Sequence, residues 1–150
     1  MGRKILGVIA GYISMAVVVF IFFTILYIIL GTEGSFEPNS FQVSMVWIIA
    51  SIILGFVAAV FGGYICTWIA KDKKAAMFLA GLVLVLGIIM ALPKLSAPAD
   101  QANKVRSAKL SNMEAMQQAE QPASILILNP ILGAVGIFFG ARLRKEKQAA

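Results

Sequence analysis

Residues 5–30 read ILGVIAGYISMAVVVFIFFTILYIIL, a run of 26 positions without a charged side chain. A helix of about 20 apolar residues is long enough to cross a bilayer core about 30 Å thick. This stretch therefore predicts a transmembrane helix.

Three more apolar stretches follow, and they predict spans at residues 43–70, 75–92 and 124–141 in addition to 5–30. The chain is 60% hydrophobic and 13% charged, whereas soluble domains average about 45–50% apolar and about 25% charged residues. The residues outside the spans are too few for a second hydrophobic core. We expect an all-α fold, with residues 1–150 forming one membrane domain built as an integral membrane four-helix bundle.

The connection between the third and fourth spans, residues 93–123, is the longest polar stretch of the chain. Asp100 is a candidate helix start and Pro122 a candidate stop. We predict a short surface helix over residues 100–121 in this outer segment. A disordered segment is the alternative, because the composition is polar and the apolar stripe imperfect.

The basic residues are concentrated in three short segments. Residues 1–4, 71–74 and 142–150 hold nine of the 13 Lys and Arg residues. Lys and Arg accumulate on the cytoplasmic side of membranes, so we expect both termini there and an even number of spans. No basic helix with interleaved aromatic residues is present, so no nucleic-acid partner is expected. The predicted contacts to lipid headgroups are Lys71, Lys73, Lys74, Arg142, Arg144 and Lys145.

Two tryptophans lie near the two ends of the second span. Trp47 and Trp68 are 21 residues apart, which is about 31 Å of helix. This distance matches the hydrocarbon thickness, so both are predicted to lie in the aromatic belts at the membrane surfaces. Tyr27 is predicted to mark the outer belt on the first span.

Small residues recur at helical spacing in every span. In lipid, close backbone approach and occasional hydrogen bonds hold helices together, since burial from lipid tails adds little. The small residues predict a compact bundle with the second span at its centre, and contact with another protein is the alternative use. The predicted helix-packing residues are Gly7, Gly11, Gly55, Ala59, Gly62, Gly63, Gly133, Gly136 and Gly140.

The sequence offers little for catalysis or metal binding. It has no histidine, and no Asp, Glu, Lys or Arg lies inside a span away from its ends. Histidine is the commonest general base and metal ligand, and coupled transporters usually keep charged groups in the membrane. We predict no catalytic residue, no metal site and no cofactor, and therefore no enzyme.

Two stretches resemble a known class of proteins. Residues 55–64 read GFVAAVFGGY and are followed by KDKK at 71–74, and residues 133–144 read GAVGIFFGARLR. The chain resembles the small four-helix proteins of bacterial inner membranes. That class has no assigned activity, so the resemblance implies a location in a bacterial inner membrane and no catalytic residues.

The expected function is that of a non-catalytic integral membrane protein. We expect an accessory or scaffold subunit that packs against a larger membrane complex or against itself. Its expected partners are membrane lipids and other integral membrane proteins. The alternative is a small oligomeric transporter or channel, whose candidate lining residues are Ser44, Ser51, Thr67 and Asn129.

Overall fold

The computed structural model describes residues 2–95 and 111–144 and has five helices there. They are α1 (Gly2–Ser35), α2 (Met45–Ala70), α3 (Lys74–Leu95), α4 (Asn112–Gln118) and α5 (Ala123–Leu143). Four of them, α1, α2, α3 and α5, are long and apolar enough to cross a membrane. The prediction of an all-α, four-helix membrane fold is confirmed.

The spanning helices extend a few residues beyond most of the predicted limits. α1 continues to Ser35 through a kink at Gly31, where φ is 63°. Glycine has no Cβ and adopts this left-handed conformation readily. In the described part of the outer segment a helix covers Asn112–Gln118. The part of the prediction that falls on residues 100–110 lies outside the described residues, which resume at Ser111.

Helix α2 lies between two neighbours. Its largest contacts are with α1 on one side and α5 on the other, and α3 packs mainly against α5. The contacts of α3 with α1 and with α2 are smaller. α2 and α5 are therefore the two inner helices of the packing order α1, α2, α5, α3, and the larger contacts are those of α2.

One hydrophobic core lies in the half of the bundle that carries the basic segments, which we call the basic end. Cys66 of α2, Leu79 of α3 and Ile137 of α5 are fully buried there, each with 0% exposure. Most other members of this cluster are alanines. Small side chains allow the helix backbones to come close together, which is how helices associate in lipid.

A second cluster, at the opposite or far end, is aromatic. The ring of Trp47 stacks on Phe23 with centroids 5.8 Å apart and meets Tyr27 edge to face at 6.4 Å. Both Trp47 and Tyr27 are 8% exposed. Both rings therefore face the interior of the bundle, where they pack on one another. Trp68, at the basic end, is 59% exposed.

Backbone hydrogen bonds close the far end. The N–H of Val43 donates to the carbonyl of Glu120 at 3.1 Å, and the N–H of Glu120 donates to the carbonyl of Phe41 at 2.9 Å. These bonds attach the chain that follows α4 to the connection between α1 and α2. The cap that results covers the aromatic cluster, with Ala119 packed against it.

Candidate functional site

Glycines bring α1 and α2 into backbone contact. A Cβ added at Gly7 would lie 2.7 Å from the carbonyl oxygen of Cys66, and one added at Gly11 would lie 2.8 Å from that of Gly62. Real Cβ atoms essentially never approach other heavy atoms within 3.0 Å. Neither position has room for a side chain, so these glycines determine the spacing of α1 and α2.

The contact between α2 and α5 is closer still. A Cβ at Gly63 would overlap the backbone of Ile137, and one at Gly140 would overlap the backbone of Val60. Each helix thus supplies one glycine that lies against the other helix's main chain. A larger residue at either position would force the two helices apart.

Three more of the predicted packing residues differ in how closely they approach a neighbouring helix. A Cβ at Gly136 would lie 2.8 Å from that of Ala59, as expected for a packing residue. At Gly133 the nearest atom is a Val83 methyl at 3.3 Å, and at Gly55 nothing lies within 4 Å. Gly55 borders a cavity, and an added Cβ there would meet no neighbouring helix.

An ion pair joins two elements at the basic end. The Nζ of Lys4 lies 2.7 Å from a carboxylate oxygen of Asp72, and the backbone N–H of Lys74 donates to the same side chain at 2.8 Å. The hydrogen bond from Lys4, aided by that from Lys74, holds the pKa of Asp72 below its ordinary value of 3.8. The pair joins the start of α1 to the turn between α2 and α3.

Three cations meet around a cavity at the same end. The cavity has a volume of about 500 Å³, and Arg3, Lys71 and Arg144 border it from α1, from the end of α2 and from the end of α5. Nη1 of Arg144 donates to the carbonyl of Thr67, and this bond holds the guanidinium against the end of α2. The remaining walls are Leu6, Trp68 and Ile69.

The predicted headgroup contacts divide into two groups. Lys71 and Arg144 border this cavity. Lys73, Lys74 and Arg142 are exposed and do not border it, and Lys145 lies outside the described residues. Arg3 was missed by sequence reasoning, although its place in the first basic segment was a usable signal.

A second cavity lies within the membrane-spanning part of the bundle, toward the far end. It has a volume of about 390 Å³, and apolar side chains of α1, α2, α3 and α5 form most of its lining. Ser51 and Asn129 are its polar members. Ser51 donates to the carbonyl of Ile48 at 2.8 Å, and the Asn129 amide donates to the side chain of Gln121 at 3.2 Å.

The four candidate lining residues of a transport path do not come together. Ser51 and Asn129 share the cavity, but Ser44 caps the start of α2 by accepting from the Trp47 N–H at 3.2 Å. Thr67 is buried at the basic end and donates to the carbonyls of Gly63 and Tyr64, both at 3.0 Å.

Chemically reactive groups are sparse in the described part of the chain. No group of three or more His, Cys, Asp or Glu residues there is placed to hold a metal ion. Cys66 is a free thiol buried at the contact between α1 and α2. These residues supply hydrogen bonds and charge, and the described arrangement includes no nucleophile paired with a base.

Comparison with known proteins identifies no relative. No family model, no curated protein and no solved structure matches the chain.

Proposed function

We propose that this chain is a non-catalytic integral membrane protein that serves as an accessory or scaffold subunit. The observation that carries the proposal is the closed interior of the bundle's basic half. Cys66, Leu79 and Ile137 fill it with 0% exposure, and glycine contacts bring the backbones together around them. A bundle of this kind offers surfaces to other molecules and no path through its centre.

Helix α1 supplies the surface that favours a partner. Only 6% of its apolar window is buried inside the protein, against 28–33% for the other three spans. It packs mainly against α2 and leaves many apolar side chains exposed, including Ile9 at 50% and Ile13 at 55%. We propose that a helix of a larger membrane complex, or of a second copy, packs here.

We also propose a bacterial inner membrane as the location, with both termini cytoplasmic. The support is the clustering of cations, because the N-terminal segment and the turn between α2 and α3 meet through the pair between Lys4 and Asp72. Lys and Arg beside spans favour the cytoplasmic side.

Photocrosslinking in native membranes tests the subunit proposal. Ile9→Cys and Ile13→Cys are made separately in a chain that also carries Cys66→Ala. Each new cysteine is then labelled with a benzophenone maleimide. Matched controls on α3 are Val85 and Ile88, which are 57% and 52% exposed. Protein adducts of one defined mass should form from α1 and not from α3. Only lipid adducts at all four positions would overturn the proposal.

The second candidate function is a small oligomeric transporter or channel, which the cavity bordered by Ser51 and Asn129 favours. A transport path requires water to reach this cavity from each side in turn. Gly55→Cys reports on it, because Gly55 borders the cavity and nothing lies within 4 Å of an added Cβ there. Gly81→Cys is the control, since Gly81 is exposed and equally unobstructed.

Labelling with a membrane-impermeant thiol reagent decides between the two functions. Modification of Gly55→Cys from both sides of the membrane, with Gly81→Cys unmodified, would favour transport. The subunit proposal expects no modification of Gly55→Cys from the basic end, because the core around Leu79 blocks that route.

A further inference from the structure

The cavity at the basic end is built from parts of the chain that are far apart in sequence. Arg3 comes from the first turn of α1, Lys71 ends α2, and Arg144 ends α5. Three apolar side chains, Leu6, Trp68 and Ile69, complete its walls. Three basic residues therefore border one space of about 500 Å³ that also has an apolar side.

The charges around this cavity lack a counter-ion in the described part of the chain. Asp72 is the carboxylate described at this end, and it is engaged by Lys4 at 2.7 Å and by the N–H of Lys74. The side chains of Arg3 and Lys71 have no hydrogen-bonded partner among the described residues. The ends of α2 and α5 carry partial negative charge, about half a unit each, beside Lys71 and Arg144. This offsets only part of the three full positive charges.

The Thr67 carbonyl of α2 positions the main chain of Lys71 and the guanidinium of Arg144. The N–H of Lys71 donates to the carbonyl of Thr67 at 2.9 Å, and Lys71 takes the left-handed conformation, with φ 54°, that ends the helix. Arg144 donates to the same Thr67 carbonyl. A guanidinium has five N–H donors in a planar fork, so most of them remain for a ligand.

We propose that this cavity binds the phosphate of an anionic phospholipid, such as phosphatidylglycerol, from the surrounding membrane. Phosphate matches the fork of an arginine, which can donate two parallel hydrogen bonds to it. The apolar walls match the first carbons of the acyl chains, and the exposed Trp68 ring suits the membrane interface. Basic pockets between spanning helices at a membrane surface are a recurring form of headgroup site.

The proposal goes beyond a general attraction between basic residues and an anionic membrane. A diffuse attraction would depend on every cation at this end in the same way, whereas a site depends on the three that border the cavity. Lys73 and Arg142 are suitable controls because each is exposed and adjacent in sequence to this region without bordering the cavity.

The test is lipid titration of the purified full chain in detergent, followed by native mass spectrometry. Phosphatidylglycerol should bind with a one-to-one stoichiometry and more tightly than phosphatidylcholine. Arg3→Gln, Lys71→Gln and Arg144→Gln should each weaken it about fivefold. Lys73→Gln and Arg142→Gln remove the same charge and should leave it unchanged.

Several outcomes would overturn the site. Equal weakening by the two control substitutions would mean diffuse attraction, and equal binding of phosphatidylcholine would mean an apolar groove. Displacement of the lipid by inorganic phosphate would mean a site for free phosphate. Thermal unfolding in phosphatidylcholine checks that the variants are folded. Arg3→Gln removes no hydrogen bond between described residues, so weaker lipid binding by this variant reports on the cavity even if the other two variants unfold.

Discussion

Replacing Gly63 with alanine should push α2 and α5 apart and destabilise the bundle. The added Cβ would lie 2.7 Å from the Cα of Ile137 and 2.8 Å from its carbonyl carbon, whereas ordinary contacts begin at 3.4 Å. The two backbones must therefore separate by at least about 0.7 Å. Backbone atoms cannot rotate away as a flexible side chain can, so the whole contact between the helices loosens.

The magnitude follows from two opposing effects. Alanine is favoured over glycine inside a helix by about 0.8–1.0 kcal/mol. Overpacking a close contact costs about 1–3 kcal/mol, because a gap of even half an ångström removes much of the dispersion energy around it. Gly63→Ala should therefore lower the free energy of unfolding by up to about 2 kcal/mol.

Gly55→Ala is the matched control on the same helix. Nothing lies within 4 Å of a Cβ at Gly55, so the helix preference for alanine acts without opposition. This variant should be up to about 1 kcal/mol more stable than the wild type. Gly63→Ala should lower the free energy of unfolding and Gly55→Ala should raise it. Opposite changes would show that the close contact is made by Gly63 and not by Gly55.

Reversible unfolding in mixed micelles with increasing SDS measures both variants. Trp47 fluorescence is a suitable probe because the ring is 8% exposed in the folded chain. If Gly63→Ala is as stable as Gly55→Ala, the close contact between α2 and α5 does not exist in the membrane. The same result would contradict the closed interior of the basic half, on which the proposed subunit function rests.

Three other measurements test separate features. Ser44→Ala removes the cap that accepts from the Trp47 N–H and should cost about 1 kcal/mol of stability; no change in unfolding would contradict the cap. Because the pKa of Asp72 lies below its ordinary 3.8, its pair with Lys4 stabilises the fold above that pH. This contribution is lost as the pH falls through the lowered pKa, and Asp72→Asn should unfold without that acid dependence. Reporter fusions after residues 36, 72, 110 and 150 should read outside, inside, outside and inside, and an external C-terminus would refute the charge-based orientation.

The glycines of α2 show how far sequence reasoning reached. Gly55 and Gly63 are both small residues of one span, and both were predicted to pack. They differ by about 80° around the helix, so Gly63 points at α5 while Gly55 borders the cavity. Small size makes a close contact possible, but the rotation of the helix decides whether it occurs.

Trp47 gives the same lesson for a large residue. A tryptophan near a span end is typical of an interfacial belt, and Trp68 is exposed at 59%. Trp47 is turned inward because Phe23 and Tyr27 of α1 offer it aromatic partners. Nothing in the sequence around Trp47 indicates that these residues of another span lie opposite.

The amino-acid sequence by itself determined the four spanning helices and the concentration of cations in three segments. Charge and hydropathy are properties of each segment alone, and a hydrocarbon layer excludes charge whatever the neighbouring helices do. Only the tertiary structure decided that Arg3, Lys71 and Arg144 border one cavity. Their meeting depends on how helices distant in sequence are rotated and spaced, and the backbone contacts of Gly7 and Gly140 set that spacing.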